Sequence, residues 1–178
     1  MTRVAAIDCG TNSIRLLVAD GETMGEHITL NDLTRQMRIV RLGQGVDRTG
    51  RLAPEAIERT LAAVREYKRM IDNLGASDIR FVSTSAMRDA ENRQDFIEPV
   101  KELLGVYPEV VPGTEEAALS FAGAASSVHA YDRGKVLVVD IGGGSTEMVV
   151  GTLGKGVDAA YSADMGSVRV TEKFFAGC

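Results

Sequence analysis

The chain has 178 residues, 44% of them apolar and 25% charged, with a formal net charge of −5. That balance is ordinary for a globular domain, and it excludes the basic footprint that a DNA-binding surface needs. No apolar stretch approaches the ~20 residues of a membrane span. The two cysteines, Cys9 and Cys178, form neither a C-x-x-C pair nor a disulfide framework, so a reduced, cytoplasmic setting is expected.

In chain order, Val4 to Cys9 and Ile14 to Ala19 read as two strands joined by a tight polar loop, a β-hairpin. Asp20-Gly21 reads as a further turn. Thr23 to Thr34 is polar and poorly patterned, and Gln36 to Leu42 reads as a third strand. Pro54 sits at a first helical position, and Ile57, Leu61, Val64, Met70 or Ile71, and Leu74 recur at helical spacing up to a stop at Gly75. Ile79 to Val82 is a strand. A second helical pattern covers Gln94 to Leu104, where Pro99 predicts a kink or a late start. Glu109 to Val111 is a short strand, and an Ala-rich helix follows from Glu115 to about Ala125. His129 to Gly134 is turn-like, and the boundary between two lobes falls there or just before it, giving lobes at 1–126 and 127–178. Val136 to Ile141, Met148 to Val150 and Val157 to Met165 read as strands, and Arg169 to Phe175 as the start of a helix.

One unit occurs twice. Val4 to Asp8 leads into Cys9-Gly10-Thr11-Asn12-Ser13 and a returning strand; Val136 to Asp140 leads into Ile141-Gly142-Gly143-Gly144-Ser145-Thr146-Glu147 and a returning strand. Glycines admit close backbone approach to a ligand. Successive N–H groups in such a turn make an anion-binding concavity, and Ser and Thr hydroxyls add donors. The aspartate ending each strand repels phosphate, and is better suited to Mg²⁺, directly or through water. A single copy is equally well read as a plain turn. The pair, with three consecutive glycines in the second copy, exceeds what a turn requires.

These residues carry a resemblance. Two Asp-Gly hairpin loops facing each other across a cleft resemble the sugar kinase, heat-shock protein and actin superfamily. Asp8 to Leu16, Ser83 to Ala90 (T-S-A-x-R), Gly113 to Ala117 (G-x-E-E-A) and Asp140 to Glu147 resemble, in that order, four motifs of the exopolyphosphatase / guanosine pentaphosphate phosphohydrolase family. The resemblance spans nearly the whole chain. It implies an actin-like (ribonuclease H-like) α/β lobe with a mixed sheet, followed by an incomplete second lobe of the same type. It also implies Mg²⁺-dependent hydrolysis of the terminal phosphoanhydride of polyphosphate or of guanosine pentaphosphate.

By that resemblance Glu116 is the base that deprotonates the attacking water, with Glu115 its competitor. Adjacent helical residues point about 100° apart, so only one of the two should face the site. Read alone, the pair is equally an acidic first turn favoured by the helix dipole. Arg88 is the candidate guanidinium contact to phosphate, against a salt-bridged surface arginine. Gly10, Thr11, Asn12 and Ser13 would bind phosphate in the first loop, and Gly142, Gly143, Gly144 and Ser145 in the second. Asp140 is the first choice for the metal and Asp8 the second. Glu147 would hold a metal-bound water or be a strand-edge carboxylate. Arg15 is expected to pack or pair, Cys9 to pack, and His129 to be solvated without a role.

Only about 40 residues follow Gly134, fewer than a lobe usually needs to fold unaided. The chain is therefore expected to be a fragment of much reduced activity. Its partial lobe would pack on the first, pair with a second copy as a homodimer, or be loosely ordered. A non-catalytic polyphosphate- or nucleotide-binding module, and a sugar or acyl kinase, are the competing readings.

Overall fold

The computed structural model describes residues 2–24, 27–127 and 134–175. The chain divides into two compact units, Met1–Val110 and Val111–Cys178.

The first unit is built on a five-stranded mixed sheet in the order β3-β2-β1-β4-β5. Its strands are β1 (Thr2–Cys9), β2 (Ser13–Met24), β3 (His27–Ile39), β4 (Asp78–Ser83) and β5 (Glu109–Val110). β1, β2 and β3 form an antiparallel meander, while β4 and β5 add in parallel. Along β1 the burial alternates: Ala5, Ile7 and Cys9 enter the core, and Ala6 and Asp8 face away. That is the period-two signature of a sheet covered on one face.

Between the strands run α1 (Val46–Thr49), α2 (Pro54–Leu74), α3 (Ser85–Asp89) and α4 (Gln94–Leu104). α2 starts with Pro54 in its first turn and stops at Gly75, as its sequence dictates. Its buried stripe of Ile57, Leu61, Val64 and Ile71 enters one core with Phe96, Ile97, Val100 and Leu104 of α4. The Tyr67 hydroxyl, within the same core, donates to the Ile14 carbonyl at 3.0 Å. Burial pushes that phenol above its ordinary pKa, so it stays a neutral donor.

Two local expectations are corrected. Asp20-Gly21 is no turn, since β2 runs through it, paired on both sides and pinned where Arg3 donates to the Asp20 carboxylate at 2.7 and 2.9 Å. The polar stretch before Gln36 is strand, because β3 starts at His27 and needs burial on neither face when it lies at the sheet edge. α4 spans Gln94–Leu104 as its pattern predicts and passes through Pro99, which excludes the late start. Its buried residues lie on both sides of the proline, and that packing outweighs the one backbone bond the ring removes.

The second unit contains α5 (Gly113–Ser127), the antiparallel meander β6 (Lys135–Ile141), β7 (Thr146–Thr152), β8 (Gly156–Ala163), and α6 (Ser167–Phe174). α5 packs on this sheet through Ala117, Phe121 and Val149, with Ala125, Val136 and Val138 around them. The compact units therefore part between Val110 and Val111, upstream of the boundary read near residue 126, because the apolar side of α5 is buried by β6 to β8. Residue 129 and most of the turn before Gly134 lie outside the described residues, as does Cys178. The sheet's opposite face exposes Leu137, Val139, Ile141, Met148 and Tyr161. Among the described residues no helix is long and apolar enough to cross a membrane.

Candidate functional site: two phosphate loops and a carboxylate pair

Each Gly-rich loop is closed by the same backbone bond. Gly10 N–H donates to the Ser13 carbonyl at 2.9 Å, and Gly142 N–H donates to the Ser145 carbonyl at 2.9 Å. The sequence repeat is thus a repeat of structure.

In the first unit, the loop's carbonyls are engaged from one side. Thr11 C=O accepts from Gly43 N–H, and Asn12 C=O accepts from the N–H groups of Val40 and Arg41, each at 2.9 Å. Gly43 lies so close that a Cβ would overlap the Thr11 side chain. The Thr11 hydroxyl shares a buried 2.9 Å hydrogen bond with that of Ser85. Thr84 N–H, just before, donates to the Cys9 carbonyl. The loop and the T-S-A-x-R segment are therefore one bonded assembly. Arg88, half-buried in α3, stands one turn beyond Ser85. Cys9 is buried and uncharged, its thiol pushed far up by desolvation, which fits a packing role.

In the second unit, the loop's carbonyls are turned toward α6. Gly142 C=O accepts from Ser167 N–H at 2.9 Å, and Gly143 C=O from Val168 and Arg169 N–H at 2.8 and 3.1 Å. Gly144 C=O accepts from Arg169 Nε at 2.9 Å, and the Thr146 hydroxyl donates to the Met165 carbonyl. A Cβ at Gly166 would overlap the backbone of Gly143 and Gly144, so only glycine allows this docking. Among the described residues, nothing accepts from the N–H groups of Thr11 and Asn12 in the first loop, or of Gly143, Gly144 and Ser145 in the second. With carbonyls occupied and amides available, both loops are built to receive an anion.

The strand ends flanking the loops differ. Asp8 is the register partner of Arg15, and the two make a 3.7 Å ion pair. Asp140 is the register partner of Glu147, so two carboxylates share one face of the β6–β7 ladder. Each is held by a serine: Ser120 Oγ of α5 donates to Asp140 at 2.7 Å, and Ser162 Oγ of β8 donates to Glu147 at 2.8 Å. Glu147 is no strand-edge carboxylate, since β7 is the central strand and the side chain is 1% exposed. Among the described residues no three His, Cys, Asp or Glu side chains are grouped to hold a metal by themselves. A hard cation that shares its ligands with phosphate and water needs only one or two carboxylates, and Asp140 with Glu147 meets that demand. Asp8, partly neutralised by Arg15, meets it less well.

Glu116 lies four residues before Ser120, on the side of α5 that meets Asp140; Glu115 stands four residues before the exposed Leu119. The second unit thus brings Glu116, Asp140, Glu147 and the Gly142–Ser145 loop together. The first unit brings Gly10–Ser13 together with the segment bearing Arg88. Sequence reasoning missed Ser120, Ser162, the 40–43 segment and Gly166. Only Ser120 had a signal, its helical spacing from Glu116.

A doubled hairpin with amide donors and strand-end aspartates thus stands in a chain of mixed α/β fold. The model of the Ppx/GppA phosphatase family matches residues 18–177, and the chain belongs to that family. It is 51% identical over 181 residues to "Exopolyphosphatase 2" of Mycobacterium tuberculosis, covering 97% of this chain and 55% of that protein. Among solved structures, an exopolyphosphatase-like protein matches at 49% identity with a TM-score of 0.90, over 97% of this chain and 53% of that one. The Aquifex aeolicus Ppx/GppA family member matches at 38% identity with a TM-score of 0.77, over 97% and 54%. The chain spans about half the length of these relatives.

Proposed function

We propose that the chain acts on the terminal phosphoanhydride of inorganic polyphosphate, as a Mg²⁺-dependent exopolyphosphatase. What supports this reading is that Glu116 stands one helical turn before Ser120, which bonds Asp140 at the strand end leading into a loop with available amide donors. Family membership and the name borne by the Mycobacterium tuberculosis relative support the substrate class.

In this reading the amides of each loop are donors to phosphoryl oxygens, and Arg88 is a charged donor within the first unit. Glu116 orients a water and takes its proton on the carboxylate as the water's oxygen attacks the terminal phosphorus; the bridging P–O bond breaks, releasing orthophosphate and the shortened polyphosphate with the bond's electron pair on its oxygen. Asp140, with Glu147 behind it, would hold Mg²⁺, which supplies neutralising charge to the phosphate oxygens when bound. Guanosine pentaphosphate is the alternative substrate, presenting the same terminal group. The second reading is binding without turnover, which the available loop amides would support without any base.

Phosphate release from long-chain polyphosphate and from guanosine pentaphosphate, each with Mg²⁺, tests the reading. Release that is faster from polyphosphate is expected. Saturable binding with no release would leave the binding module, and neither binding nor release would overturn both readings.

A further inference from the structure

Arg41 is the only residue other than glycine with a positive φ among the described residues, at 49°. A long side chain is strained in that left-handed region, where glycine or asparagine sits more easily. The strained turn is held from every side. Arg41 N–H donates to Asn12 C=O at 2.9 Å, and its own carbonyl accepts from Gln44 N–H at 3.1 Å. Arg59 donates to the carbonyls of both Val40 and Arg41. Strain that the surroundings over-determine in this way gathers at ligand-contacting positions.

The Arg41 side chain is exposed, and among the described residues its guanidinium has no ion pair or hydrogen bond. Its backbone is bonded directly to the first phosphate loop, so the side chain springs from a residue in contact with that loop. The chain as a whole carries a net charge of −5, so a polyanion must find its cations locally. The loop's amides suffice for one phosphoryl group, and a linear polyanion brings a second beside it.

We propose that Arg41 is a substrate-contact residue, whose guanidinium binds the phosphoryl group adjoining the one cradled by Gly10–Ser13. This rests on the polyphosphate reading above, and it makes Arg41 a determinant of preference for linear phosphoanhydrides over orthophosphate. Arg41→Gly and Arg41→Asn remove the cation while keeping, and easing, the left-handed turn, so both variants should fold at least as stably as the parent.

The test is calorimetric titration of parent and variants with long-chain polyphosphate, tripolyphosphate and orthophosphate, at two salt concentrations. Both variants should lose about tenfold in affinity for the two chain substrates, with a shallower salt dependence and unchanged orthophosphate binding. Variants that bind polyphosphate as tightly as the parent, with the same salt dependence, would overturn this inference alone. A parent chain that binds no polyphosphate would overturn the functional reading and this inference with it.

Discussion

Arg15 and Glu147 occupy the same place in two copies of one hairpin: Arg15 stands opposite Asp8 in the first, Glu147 opposite Asp140 in the second. The exchange of a cation for an anion sets the two loops apart electrostatically. The first strand end carries a neutral Asp–Arg pair, the second a pair of carboxylates. Divalent-cation binding should therefore depend on the second hairpin. In titrations with Mg²⁺ or Mn²⁺, Asp140→Asn should abolish binding and Asp8→Asn should leave it within about threefold of the parent. Equal losses from the two would show that the register asymmetry does not choose the metal's place.

The docking of α6 on the second loop depends on Gly166. Gly166→Ala places a methyl group against the Gly143 and Gly144 backbone, which cannot yield as a side-chain tip would. A loss of about 1–3 kcal/mol is expected, the usual range for overpacking. Hydrogen exchange should show it locally, as faster exchange at Val168 and Arg169, whose amides bond to Gly143. Unchanged exchange there would mean that the loop is not held by this contact.

Thr11 and Ser85 bind the first loop to the segment that carries Arg88. Thr11→Val leaves a buried serine hydroxyl without its partner and should cost about 1–3 kcal/mol in denaturant unfolding. Ser85→Ala should cost a similar amount, and the double variant much less than the sum of the two. Additive losses would show that the hydroxyls act independently.

Much of this architecture was legible in the sequence. α2 announced both of its ends through Pro54 and Gly75, and the two loops announced themselves by repetition. What was illegible involved long-range partners. Asp20-Gly21 has the composition of a turn, and only the guanidinium of Arg3, distant in sequence, shows that it is strand. α5 has apolar residues on its surface whichever lobe it joins, so its allegiance to β6–β8 appeared only when Phe121 met Val149. The site divided in the same way. The matching backbone closure of the two loops was legible as a repeat, while Ser162 and the 40–43 segment gained significance only through the bonds they make.

The Arg3–Asp20 pair gives a pH signature. The hydrogen bond and charge of Arg3 lower the Asp20 pKa below its ordinary value. A carboxylate depressed on folding stabilises fully above its unfolded pKa of about 4, and loses that contribution as pH falls through the lower folded value. Unfolding midpoints measured downward from pH 5 should therefore fall, and Asp20→Asn should be less stable at pH 5 with a flatter acid limb. A variant whose acid limb matches the parent's would remove Asp20 from the explanation.

Glu116 separates phosphate binding from catalysis most directly. Phosphate release from long-chain polyphosphate with Mg²⁺ should be measured for the parent chain, Glu116→Gln and Glu115→Gln. Release should vanish in Glu116→Gln while polyphosphate binding persists, and Glu115→Gln should retain most of the parent's rate. Release by Glu116→Gln at the parent's rate would contradict the assignment of the base and, with it, the mechanism built on the α5 face.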